Sequence, residues 1–154
     1  MARAIAYFEQ CDDLALLHSL LAEVAPRVRQ IVAGYLRSGR EDDIPPPAEL
    51  GPAREPADPK EAVATLRRVR DFALLQAMTR AIGRRLETLE IVASASLPEG
   101  ARVLVPREPR YPPRGPYLPG TVTSTGTTIV VQLDSGEVWR GPASLARPAA
   151  SDQP

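Results

Sequence analysis

The chain has 154 residues, of which 44% are hydrophobic and 25% charged, which fits one folded domain, or a helical part joined to a small β module, and excludes a wholly disordered chain. Nineteen basic residues balance nineteen acidic ones, so no overall field draws the protein to nucleic acid or to an acidic membrane. Cys11 is the only cysteine and rules out an internal disulfide; no apolar run nears the roughly 20 residues of a membrane span; and the start MARAIAYFEQCDD turns acidic too early for a signal peptide, so the expected compartment is the cytoplasm.

The first predicted element covers residues 1–39. Leu14, Leu17, Leu21, Val24, Val28, Ile31 and Tyr35 recur at alternating steps of three and four, the seam of a coiled coil, and Leu16, Leu20, Val32 and Leu36 widen it. That seam is the first candidate interaction surface. Pro26 lies opposite it and removes a backbone donor, so a kink or a break is expected there. Gly39 follows as the expected C-terminal cap.

Residues 40–57, REDDIPPPAELGPAREPA, contain five prolines and no periodicity, and read as an extended, mobile connector. A second helix is expected over 58–96, opening with Asp58-Pro59-Lys60-Glu61, an N-cap followed by proline at the first helical position and by glutamate three residues on. Its apolar stripe runs from Val63 and Leu66 through Val69 and Phe72 to Leu86 and Leu89, and the two helices together predict an antiparallel hairpin. The pair cannot cover both stripes alone, so the β module, a second copy or a partner protein must supply a wall.

Charge is distributed unevenly. Residues 1–58 carry six arginines against ten acids, while 59–98 carry seven basic residues against four acids; Lys60 is the single lysine. On a continuous second helix Arg67, Arg70, Arg84 and Arg85 would project within a sector of about 100°. They are the candidate phosphate contacts, with pairing to the acidic first helix as the simpler account.

From residue 97 the period changes from 3.6 to 2. Residues 101–105, 120–124, 127–133, 138–140 and 144–146 read as five short strands, with a hairpin turn at Asp134-Ser135-Gly136-Glu137. The fold class is therefore α+β, with a helical hairpin over 1–96, a small β-barrel over 97–148 and a tail at 149–154.

The segment from Leu97 to Pro148, with EGARVLVP, PGTV, TTIVVQLDSGEVW and PASLARP, resembles an SH3-like barrel of the Tudor or KOW sort. The resemblance rests on Gly100, Gly120, Val122, Leu133, Asp134 and Gly136, which are turn and core positions and imply a fold without a ligand. Tudor domains that read methylated side chains line a cage with several aromatics. Here Tyr111, Tyr117 and Trp139 are the aromatics on offer, and basic residues are fewer than RNA-contacting KOW modules usually show.

The stretch from Pro106 to Gly120, PREPRYPPRGPYLPG, would be the long loop between the first two strands. Its prolines favour polyproline II, and Arg107, Arg110, Tyr111, Arg114, Tyr117 and Trp139 are the candidate contacts on this side. Three readings stand: the loop packs on its own barrel, it docks a protein partner, or its arginines hold phosphates while a tyrosine stacks on a base. The match of Arg110 to Pro116 with an R-x-x-P-x-x-P ligand pattern is expected by chance in a chain so rich in Arg and Pro.

Catalytic signals are missing. No phosphate-binding, dinucleotide, nucleophile-elbow or H-E-x-x-H motif occurs, His18 lies two helical turns from Cys11 with no third ligand, and Asp12-Asp13 and Glu41-Asp42-Asp43 read as caps or solvated charge. No cofactor, metal, membrane or small-molecule substrate is implied. The expected function is that of a non-enzymatic interaction or assembly protein, a structural subunit or adaptor of a larger complex, phage or virion-like particles included. The alternative is a nucleic-acid-binding accessory protein.

Overall fold

The computed structural model describes residues 1–53 and 55–149; Arg54 of the connector and the tail from residue 150 onward lie outside the described residues. Four helices precede a five-stranded antiparallel sheet, the α+β order read from the sequence. The chain divides into two units, Met1–Leu86 and Glu87–Pro154, and the division falls inside the last helix, earlier than the change of period at residue 97.

In the first unit both long helices of the sequence reading are broken in two, at points other than Pro26. Helix α1 (Ala2–Gln10) stops at Cys11, and α2 (Leu14–Arg37) starts afresh because the Asp13 carboxylate accepts the Leu16 N–H at 3.0 Å, an N-cap formed by one of the two adjacent acids. Helix α2 then runs through Pro26, whose ring is exposed while Leu20 and Val24 before it are buried. Gly39, at φ +66°, adopts the left-handed conformation that lets the Arg40 N–H reach the Tyr35 carbonyl (2.8 Å) and closes the helix.

The second break follows α3 (Pro59–Arg68), which opens as predicted with Asp58 accepting the Glu61 N–H at 2.8 Å. Val69 is extended and buried, its carbonyl taken by the Arg27 guanidinium at 2.9 Å, and Asp71 caps the next helix through the Leu74 N–H. Helix α4 covers Phe72–Ala95.

Helices α2 and α4 make the antiparallel pair: the Tyr35 and Phe72 rings lie 6.3 Å apart at one end, and Arg85 donates to the Cys11 carbonyl at 2.8 Å at the other. Helices α1 and α3 pack on each other and bury Ala4, Phe8, Ala62 and Leu66. The connector is extended but tied down. Gln76 donates to the Pro45 carbonyl, the Ala48 N–H to Ala73 and the Ala57 N–H to Arg3, each at 2.9 Å, and Ala57 is buried. These bonds tie three points of the connector to α1 and α4.

The second unit holds strands β1 (Arg102–Pro106), β2 (Tyr117–Ser124), β3 (Thr128–Leu133), β4 (Val138–Pro142) and β5 (Arg147–Pro148), in the order β4-β3-β2-β1-β5. Alternation decides which face is buried: Ile129, Val131 and Leu133 on β3 point inward with Val103 and Val105 of β1, and Gln132 points out. A bulge between Val122 and Ser124 shifts the β2–β3 register by one residue. One predicted strand is corrected. Ser144-Leu145-Ala146 does not pair; Ala143–Leu145 form a 3-10 turn whose Ala143 and Leu145 fill the core, and the fifth strand comes after it.

Candidate functional site

The long loop between β1 and β2 occupies residues 107–116, shorter than the Pro106–Gly120 stretch of the sequence reading, because Pro106 belongs to β1 and Tyr117, Leu118, Pro119 and Gly120 to β2. It is not continuous polyproline II. The Arg110 N–H folds back onto the Glu108 carbonyl at 2.8 Å, and the Arg107 N–H meets the Pro116 carbonyl at 3.1 Å, closing the loop at its base.

Side chains then fix the loop to its own unit. Pro109 sits beside Gly141, together with the Trp139 ring: a Cβ built on Gly141 would lie 2.6 Å from the Pro109 Cβ and 2.7 Å from the ring, so only glycine allows this approach. Trp139 is 4% exposed, and its indole N–H donates to the Pro106 carbonyl at 2.8 Å. It is a core residue, which removes it from the candidate contacts of the sequence reading.

The second attachment is a chain of hydrogen bonds that the sequence reading missed. Glu90, on α4, is 4% exposed, and its carboxylate accepts the Ser144 N–H at 2.7 Å and the Ser144 hydroxyl through its other oxygen. The Tyr111 hydroxyl lies 2.5 Å from the same serine oxygen. Since the serine proton goes to the carboxylate, the tyrosine must donate to the serine, giving the order Tyr111 to Ser144 to Glu90. Burial raises the Tyr111 pKa and the Glu90 charge adds to the rise, while the bond to Ser144 works against it. A hint was present in the sequence: Glu90 follows Ile82 and Leu86 at steps of four, so it stands on the buried stripe of its helix, where a lone carboxylate needs partners.

Outside this attachment Arg107, Arg110 and Arg114 are exposed, and none of the three has an ion pair or side-chain hydrogen bond among the described residues. Tyr117 is different, with the Arg147 guanidinium 4.2 Å above its ring. The three aromatics are therefore employed separately, Tyr111 in a hydrogen bond, Tyr117 under a cation and Trp139 in the core, and they do not line one cage. Arg102 is held by Asp134 through two bonds of 2.7 Å, which lowers the Asp134 pKa.

The candidate phosphate contacts of the helices fare otherwise. Arg67 pairs with Glu23 at 2.9 and 3.2 Å, and Arg85 binds Asp12 as well as the Cys11 carbonyl. Arg84 is exposed and also has a partner, while Arg70 is exposed in the break between α3 and α4. The single basic sector assumed an unbroken helix; with α3 and α4 separate, the four arginines do not share a helix face. Of the seam, Leu17 and Val24 are buried within the chain, and Leu14, Leu21, Val28, Ile31 and Tyr35 are half-buried. Leu20, placed beside the seam by the sequence reading, is as buried as its central members.

No helix among the described residues is long and apolar enough to cross a membrane, and no group of three or more His, Cys, Asp or Glu side chains is placed to hold a metal ion. No family of known proteins matches the chain, and neither does any curated protein or any solved structure.

Proposed function

We propose that this chain is a non-enzymatic interaction protein, an adaptor or structural subunit that works by holding an arginine-bearing loop in a set position for a protein partner. The observation that carries the reading is the use of a buried carboxylate, Glu90, to fix Tyr111 through Ser144, while Arg107, Arg110 and Arg114 on the same loop stay exposed and uncompensated. Burying a charge is costly, so a fold that does so to anchor a loop gains from having the loop fixed. A fixed loop loses less entropy when a partner docks, and arginines pair well with carboxylates in a planar, two-point geometry. The helical seam contributes less than its sequence pattern implies, because its buried members are satisfied inside the chain. The SH3-like barrel belongs to this proposal as well, as the way the two edge strands β4 and β5 would close.

The same exposed arginines favour a second reading, nucleic-acid binding through the loop alone. Light scattering behind a size-exclusion column, at low and high salt and with absorbance at 260 and 280 nm, separates the two. A salt-resistant assembly free of nucleic acid supports the first. Nucleic acid that co-elutes at low salt, leaves at high salt and is lost from the Arg107→Gln, Arg110→Gln, Arg114→Gln variant supports the second, since phosphate contacts depend steeply on salt.

A further inference from the structure

Between α3 and the start of α2 lies an open groove of about 460 Å³. Its apolar floor includes Leu16, Val63 and Ala64, and its rim includes Lys60, Arg67 and Arg68. Lys60, Val63, Ala64, Arg67 and Arg68 stand at positions i, i+3, i+4, i+7 and i+8 of one helix, so they form a single face with an apolar centre and a cation at each end.

The charge on this face is not balanced from within. Glu23 is taken up by Arg67, and Glu61, next to Lys60, is paired with Arg3 at 3.1 Å. Lys60 and Arg68 are exposed and have no side-chain partner among the described residues. Eight residues of helix separate them by about 12 Å, two turns, with the half-buried Val63 and Ala64 between.

We propose that this groove docks a short amphipathic helix of a partner protein, with a carboxylate at each end of its apolar face. The matching face has Asp or Glu seven or eight residues apart and Leu, Ile, Met or Phe between them at the third and fourth positions. A small anion would meet only one cation and none of the floor, whereas a helix reaches both cations in two turns and covers the apolar centre. A second copy of the chain does not fit the pattern. In the helices of this structure Glu9, Glu23 and Glu61 are alone on α1, α2 and α3, and Glu87 and Glu90 on α4 are only three apart, so no helix here carries two acids at the required spacing.

The inference rests on reading the chain as an interaction protein, but it concerns a surface apart from the loop. The test is a display selection of helical peptides of about 15 residues, long enough to hold a helix, randomised at the two flanking and two central face positions and panned on the full chain. Selected peptides should carry acids at both flanks and apolar residues between. The variant Lys60→Glu, Arg68→Glu should bind them about tenfold more weakly, because two attractions become repulsions. The same variant should bind a peptide with lysine in place of both acids. Both residues are exposed, and unchanged helical circular dichroism will show that the variant folds. Four results overturn the proposal: no enrichment, enrichment of neutral or basic flanks, equal binding by the double variant, or a dimer that the double variant converts to monomer. Loss of this binding with the loop's own behaviour intact, or the reverse, tells failure of the groove from failure of the proposed function.

Discussion

In the helical unit Arg27, Arg67 and Arg85 are spent on the chain itself, on the Val69 carbonyl, on Glu23, and on Cys11 and Asp12, whereas in the β unit the loop arginines 107, 110 and 114 are exposed and have no ion pair or side-chain hydrogen bond among the described residues. Arg67 and Arg85 occur in a basic stretch following an acidic one and answer it. The loop arginines have only Glu108 near them in sequence. Arginine content alone thus says little about binding. What matters is whether the fold supplies the counter-charge, as it does for Arg67 and Arg85 and does not for the three loop arginines.

The largest expected effect tests the scaffold. Ser144→Ala removes the hydroxyl that joins Tyr111 to the buried Glu90 and should cost about 2 kcal/mol, the usual loss when a buried charged group loses a hydrogen-bond partner. Trp139 is the only tryptophan and lies in the β unit, so its fluorescence in urea reports this loss. An unchanged midpoint would mean that the hydrogen-bond chain holds nothing.

Next comes Arg85→Gln in the helical unit. Its side chain is 23% exposed and it bonds a buried backbone carbonyl, so about 1 to 2 kcal/mol should be lost, read from the helical circular dichroism signal. Arg67→Gln, whose pair with Glu23 is exposed, should lower the midpoint less and in a salt-dependent way.

A pH titration sharpens the picture of the helical unit. Tyr7 is pushed from 10.0 up to about 12, first by burial and then by its bond to Cys11. Above pH 10 the unfolded chain loses this proton while the folded chain keeps it, so stability falls as pH rises from 10 toward 12. Tyr7→Phe should flatten that part of the curve.

The smallest effect is the sharpest contrast. Replacing Arg107, Arg110 and Arg114 together by Gln should leave the unfolding midpoint within error, since these side chains are exposed and have no ion pair or side-chain hydrogen bond among the described residues. A clear loss of stability would show that the loop arginines are structural, and the difference between the units would vanish.

The sequence by itself determined what depends on neighbours a few residues away. Asp58 and Gly39 were legible as caps because a cap is one side chain or one φ angle, the change of period at residue 97 marked where helix gives way to sheet, and a loop was legible between the first two strand patterns, though not that its last residues from Tyr117 extend the second strand. The break after α3 was half legible. Val63, Leu66, Val69 and Phe72 are spaced by threes, which drifts around an ideal helix and needs a break to stay buried. The break expected at Pro26 does not occur: its ring is exposed on a helix whose other side buries Leu20 and Val24, and α2 runs on to Arg37. The tertiary structure alone decided that Glu90 is buried, that Trp139 is core, that Arg67 and Arg85 are neutralised and that Arg107, Arg110 and Arg114 are not. Each of these depends on groups brought together from distant positions, 54 residues away for Glu90 and Ser144 and 44 for Glu23 and Arg67. Desolvation and charge pairing act through space, and no local pattern records which distant side chain will arrive.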